Sequence, residues 1–335
     1  MPSIGLPARS LAIETRSSAV ADTSPYSGLE RTRPGVALAR LRYGERMDHV
    51  EWRERPELRK PALVCAFKGW NDAGEAASAA LGFLADSFDA TEVAYIDPED
   101  FYDFTAVRPT VRLSEGLTRV IDWPENSLHG ARVAGAERDL LLFQGVEPSL
   151  RWRAFCETVI EMARELGCEM VITLGALLAD VPHTRPVPMT GICSDEVMVQ
   201  RLGFEQSSYE GPTGIVGVLH HACSQAGLTA VSLWASVPHY VAAAPNPKAA
   251  LALIRSFEGV AGVAVDALDL EQSAEDYERQ VNAAVATDPD VKSFVERLEQ
   301  TIDEVTEDSP PERLPSADAI ARDFQRFLKQ KGAED

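Results

Sequence analysis

Short, continuous apolar runs alternate along this chain with amphipathic stretches. Residues 63–67, 139–143, 169–174 and 230–235 are mainly apolar without period-two alternation and too short for helices, the pattern of strands buried on both faces. Residues 91–96 add a strand that stops at Asp97-Pro98. Between them lie helical stretches. Residues 75–84 are Ala-rich, 150–166 close at Gly167, 215–226 close at Gly227, and 247–260 open on Pro247, which are ordinary helix stop and start signals. Ser194-Asp195-Glu196 caps a further short helix running to Leu202. Two extended runs between Val111 and Trp123, around Ser114-Glu115-Gly116, read as a hairpin. Strand alternating with helix predicts an α/β fold whose mostly parallel sheet is covered on both faces.

The two ends of the chain differ from this pattern. Residues 1–46 carry seven Arg, no Lys and four acidic residues, with much Ser, Pro and Thr and no periodicity. They are expected to form a disordered extension, and Met47 is an alternative translation start that would leave them untranslated. The α/β core is expected over 47–268. A helical C-terminal segment is expected over 269–335, with helices at 274–285, 289–305 and 317–331. Leu298, Ile302 and Val305 give it an apolar stripe for packing on the core or on a neighbour.

Composition narrows the function. A formal net charge of −20 at pH 7 argues against nucleic acid, whose phosphates demand clustered Lys and Arg. No apolar run approaches a membrane span, and the N-terminus lacks the apolar centre of a secretory signal. Five cysteines without a Cys-x-x-Cys pair point to a reducing cytoplasm, with Cys65, Cys156 and Cys168 as buried thiols.

In open parallel sheets, ligands gather at the carboxyl ends of the strands. Gly69, Trp70, Asn71, Asp72 and Gly74 follow the first core strand, and Asp97, Tyr102 and Arg108 follow the second. Gln144, Gly145 and Glu147 follow the strand at 139–143, and His183, Thr184 and Arg185 come after the next. Glu210, Gly211, Pro212, Thr213 and Gly214 open a helix, and Pro238, His239 and Tyr240 follow the last strand. The turns at Trp70, Pro212 and His239 are expected to crown one sheet edge as a candidate cleft. Asn71-Asp72 also reads as a plain helix cap.

No complete catalytic set is present. The phosphate-binding lysine, the Gly-x-Gly-x-x-Gly fingerprint, His-Glu-x-x-His and the Gly-x-Ser-x-Gly elbow are all missing. Adjacent His220 and His221 point about 100° apart on a helix, a poor start for one metal. Cys193, His183 and Asp195 are near one another only in sequence. No cofactor and no metal are expected.

Gly69-Trp70-Asn71-Asp72-Ala73-Gly74, Tyr209-Glu210-Gly211-Pro212-Thr213-Gly214-Ile215, and Ser232-Leu233-Trp234-Ala235-Ser236-Val237-Pro238-His239-Tyr240 resemble the proteasome assembly chaperone-like family in its actinobacterial branch. The likeness covers about residues 55–268. It implies a phosphorylase-like, three-layer α/β sandwich with a mixed, largely parallel sheet. Eukaryotic and archaeal relatives are non-enzymatic chaperones that help proteasome α subunits form rings, and archaeal members dock through a C-terminal hydrophobic-Tyr-any-residue tail. This chain ends Lys331-Gly332-Ala333-Glu334-Asp335, a departure from that tail.

Two readings follow. The first is a non-enzymatic assembly or interaction protein, homo-oligomeric, with proteasome subunits or another protein as partner and no nucleic acid or membrane. It predicts a large exposed apolar patch. The alternative is a small-molecule-binding protein or hydrolase. There Asp72, Glu210 and His239 would share a polar pocket, and two helix N-termini would hold a carboxylate or phosphate.

Overall fold

The computed structural model describes residues 49–114, 118–193, 205–206, 209–241 and 244–308. The extension at 1–46, the start at Met47, the turn at Glu115-Gly116, the helix begun by Ser194-Asp195-Glu196 and the helix at 317–331 lie outside them. Eleven described strands run in chain order: β1 (Val50–Trp52), β2 (Ala62–Lys68), β3 (Thr91–Ile96), β4 (Thr110–Ser114), β5 (Thr118–Asp122), β6 (Asn126–Ala131), β7 (Leu140–Val146), β8 (Met170–Ala179), β9 (Met189–Cys193), β10 (Glu205–Gln206) and β11 (Thr229–Pro238). Nine form one mixed sheet in the order β1-β3-β6-β7-β2-β8-β11-β9-β10, while β4 and β5 pair as a separate antiparallel hairpin.

The strands legible as unbroken apolar runs are the central ones. β7, β2, β8 and β11 pair in parallel, and each is buried on both faces, which removes the polar alternation. The flank β1-β3-β6-β7 is antiparallel throughout, and β9 pairs antiparallel with β11. β1, β6, β9 and β10 give no clear sequence signal. β6 (Asn-Ser-Leu-His-Gly-Ala) and β9 (Met-Thr-Gly-Ile-Cys) are weak strand formers that the neighbouring ladder holds extended.

Alternate side chains of β2 divide the core in two. Ala62, Val64 and Ala66 join one apolar cluster with helices α1 (Ala76–Ser87) and α4 (Pro247–Ala261). Leu63, Cys65 and Phe67 join the other with α2 (Trp152–Glu165) and α3 (Ile215–Gln225). The result is the three-layer sandwich that the family likeness implied. Small residues on α1 (Ala76, Ala77 and Ala80) are fully buried. Phe155 of α2 meets Phe67, Phe143 and Phe101 with ring centroids 5.9, 6.1 and 5.5 Å away, geometries favoured by ring quadrupoles.

The same layer holds Cys65, Cys156, Cys168 and Cys223, all buried. Burial pushes the thiols of Cys156, Cys168 and Cys223 up to about 12. They therefore stay protonated and inert. Two further helices, α5 (Leu268–Val285) and α6 (Pro289–Asp308), complete the described chain. Leu270 of α5 belongs to the cluster under α4.

Phe155 sits at the centre of the aromatic group, so Phe155→Ala should remove about 3–5 kcal/mol of stability. Urea unfolding followed by circular dichroism measures this. A loss below about 1 kcal/mol would mean that the neighbouring rings close the hole.

Candidate functional site

β2 is flanked by parallel neighbours on both sides, so its exit turn lies between the ends of β7 and β8. Ala176 N donates to Asn71 O (2.8 Å), and Glu147 N donates to Lys68 O (2.9 Å). The turn is thereby held from both sides. Asp72 is buried, and its Oδ1 accepts the amides of Ala77 (2.8 Å) and Ser78 (3.1 Å) at the start of α1. Burial raises the Asp72 carboxyl pKa, and those bonds oppose the rise. The cap reading of Asn71-Asp72 thus describes Asp72. Gly74 stands at φ 59°, where glycine is favoured, and Asn246 N bonds its carbonyl at 2.7 Å.

Glu147 ties this turn to the second motif. Its Oε1 accepts from Asn71 Nδ2 (2.9 Å) and from the amide of Ile215 (2.8 Å), the first residue of α3. Gly214, the residue before α3, packs on Asn71 so closely that a Cβ there would lie 2.1 Å from Nδ2. Its backbone, φ −99° and ψ −171°, is open to any residue, so the demand for glycine is one of space. Glu147 stands in the sequence as one more loop acid. Only the fold shows it joining two motifs, from 76 positions beyond Asn71 and 68 before Ile215.

The expected binding of an outside anion at the two helix N-termini meets this geometry directly. Asp72 already accepts the first amides of α1, and Glu147 accepts that of α3. A second anion there would face a fixed carboxylate, at a cost in repulsion.

A cavity of about 810 Å3 opens beside these turns, between the ends of β8, β9 and β11 and helix α3. Of the residues expected at the cleft, Gly69, Trp70, Asn71, Gly74, Gly211, Pro212 and Thr213 line it. Asp72, Glu210, Gly214 and His239 are not among its lining residues. The polar pocket expected to unite Asp72, Glu210 and His239 is therefore absent from this cavity. Asp72 is committed to its helix, and Glu210 is exposed. His239 pairs with Asp180 (2.9 Å) and packs on Phe294. In the sequence Ser232 and Trp234 stand out only as part of a motif, and His220 only as a poor metal ligand. All three line the cavity.

The remaining cleft residues lie elsewhere. Asp97 caps a short turn by accepting from Glu99 N (3.0 Å). Tyr102 is buried and donates to Val146 O (2.6 Å), and burial raises its phenol pKa. Arg108 is exposed. Thr184, Arg185, Pro238, His239 and Tyr240 are grouped around α5 and α6. Arg185 clamps Asp303 of α6 with two bonds, 2.8 and 2.7 Å, and Thr184 bonds Glu299. Pro238 lines a small hollow with His183, Lys248 and Tyr277.

His183 is the centre of this second group. Its Nδ1 lies 2.7 Å from the Tyr240 hydroxyl, and its Nε2 lies 3.1 Å from Asn282 Oδ1 on α5. An amide oxygen there requires Nε2–H to donate, so Nδ1 accepts from Tyr240. Burial lowers the His183 pKa, although Asn282 and the nearby Glu278 and Glu299 work against the shift. Among the described residues no group of His, Cys, Asp and Glu is arranged to hold a metal, and no helix is long and apolar enough to cross a membrane.

A family model described as PAC2 family matches residues 66–285, and the chain belongs to that family. A PAC2 family protein from Streptomyces avermitilis is 47% identical, with 70% of this chain and 99% of that one covered and a TM-score of 0.66. A proteasome-assembly chaperone homologue from Mycobacterium tuberculosis is 44% identical over the same shares, also at a TM-score of 0.66. PbaB of Pyrococcus furiosus, an archaeal proteasome activator, shares the fold at 16% identity, with a TM-score of 0.58 and 70% and 97% covered. No match was found among the curated proteins. The kinship read from the Gly-Trp-Asn-Asp-Ala-Gly and Glu-Gly-Pro-Thr-Gly-Ile segments is thus shown.

Gly214→Ala should cost about 1–3 kcal/mol by overpacking. Asn71→Ala makes room for the new methyl, so a double-mutant cycle should give a coupling of about 0.5–3 kcal/mol. Strict additivity in urea unfolding would show that the two residues do not press on one another.

A folded-state His183 pKa below its unfolded value makes the stabilisation full above about pH 6.5 and lost as pH falls through the folded pKa. The charged groups facing it are Lys248, Glu278 and Glu299. Hydrogen-exchange protection across 268–308, measured relative to the intrinsic rate at each pH, should therefore fall on acidification, and His183→Gln should flatten that dependence. An unchanged pH slope in the variant would remove His183 from the docking of α5.

Proposed function

We propose that this chain is a non-enzymatic, assembly-chaperone-like interaction protein that acts as a cytoplasmic homo-oligomer and binds proteasome subunits. The observation that carries this reading is the β4–β5 hairpin. It forms its own two-stranded sheet. A lone hairpin is marginal in water without a packed face. Val111 and Ile121 stand opposite one another. Alternation puts Leu113 on their side, and Trp123, directly after β5, stands edge-on to Phe104 at 4.9 Å. The exposures of Val111, Ile121, Leu113 and Trp123 are 62, 54, 65 and 48%. Such an apolar face is a docking surface rather than a solvent surface. Arg112 and Asp122 pair at 2.8 Å, which keeps the strands in register at the hairpin's base.

Kinship adds support. The Mycobacterium tuberculosis relative is described as a proteasome-assembly chaperone homologue, and the hydrolase reading has lost its shared acid–base pocket. The partner surface proposed here is the hairpin.

Size-exclusion chromatography with light scattering tests both parts. The purified chain should run as an oligomer and co-elute with purified proteasome α subunits. Val111→Glu with Ile121→Glu should abolish at least one of these associations while changing stability by less than about 1 kcal/mol, as expected for exposed positions. A monomeric wild type that binds no α subunit would end the proposal.

A further inference from the structure

We propose that the cavity between α3 and the ends of β8, β9 and β11 is a binding site for a neutral, flat, mainly apolar small molecule that carries a hydrogen-bonding group. This goes beyond the interaction function above and rests on a different surface.

Size comes first. About 810 Å3 falls within the range of small-molecule sites, roughly 300–1,000 Å3. Charge comes second. None of the described lining residues is Lys, Arg, Asp or Glu, so nothing among the described wall residues neutralises an ionised ligand, and burying an unpaired charge is costly. The adjoining carboxylates, Asp72 and Glu147, are occupied by helix amides and Asn71, which disfavours an anion further.

Shape comes third. The Trp234 ring lies over the backbone of Gly175 on the neighbouring strand, where a Cβ would stand 2.6 Å from the ring. Its indole N–H donates to Ser232 Oγ (2.9 Å), which also receives the Thr173 hydroxyl (2.8 Å). This flat wall is therefore fixed before any ligand arrives, which lowers the ordering cost of binding. Trp70 and Leu178, 63 and 60% exposed, flank the opening.

The polar handle comes last. Thr190 and Thr213 line the cavity and are not buried. Their hydroxyls can donate as well as accept a hydrogen bond, so a ligand O–H or N–H finds a partner in the wall.

The test uses the full-length chain and three probes: 2-naphthol, naphthalene and naphthalene-2-sulfonate. Calorimetry and tryptophan emission report binding at pH 7. 2-Naphthol should bind and quench tryptophan emission, naphthalene should bind at least fivefold more weakly, and the sulfonate should not bind. Leu178→Glu, at an exposed position, and Ile192→Trp, which fills the cavity, should each weaken 2-naphthol at least tenfold with the melting temperature kept. Failure of 2-naphthol to bind, equal binding of the sulfonate, or binding indifferent to both substitutions would each overturn the proposal. None of these outcomes depends on whether the hairpin binds α subunits.

Discussion

One carboxylate fixes the end of the sheet where the family motifs meet. Glu147, just past β7, accepts from Asn71 in the β2 turn and from the first amide of α3. A helix N-terminus leaves amides without partners, and a buried one must find acceptors. Glu147 supplies one, and through Asn71 it fixes the neighbouring turn as well. Gly214 follows from the same contact, because only a residue without a side chain fits against the held amide. The glycines and polar residues of the two motifs are thus parts of one packed junction.

That junction divides the rim. On its α3 side, the small or polar residues Thr173, Gly175 and Ser232 replace the large apolar residues found elsewhere in the central strands, and space remains for a cavity. On the α4 side, Ala176, Ala235 and Val237 are buried in the core, and α5 and α6 are fastened beyond them by His183, Thr184 and Arg185. Residues that follow neighbouring strands therefore serve different ends. One group borders the open cavity, and the other anchors helices. The hairpin, the cavity and the His183 group are separate features, and each makes its own physical demand.

The sequence determined the central layer by itself. Unbroken apolar runs identify β2, β7, β8 and β11, because strands buried on both faces have no reason to alternate. Glycine and proline signals place the ends of α2, α3 and α4. Two short motifs carried the family, since turns that need particular residue types keep them in sequence. The net charge of −20 needed no structure to speak against nucleic acid.

Only the tertiary structure decided which rim residues act together. Strand order is set by pairing between segments far apart in the chain, and a loop's sequence does not record its neighbour. Asp72 and His239 both follow core strands, yet one caps α1 and the other packs on Phe294. Glu147 and Trp234 gain their places from partners about 60 or more positions away or from a register between strands. Weak strands such as β6 and β9 are held by their neighbours for the same reason. Local chemistry is written along the chain, whereas the meeting of distant side chains is a property of the folded backbone.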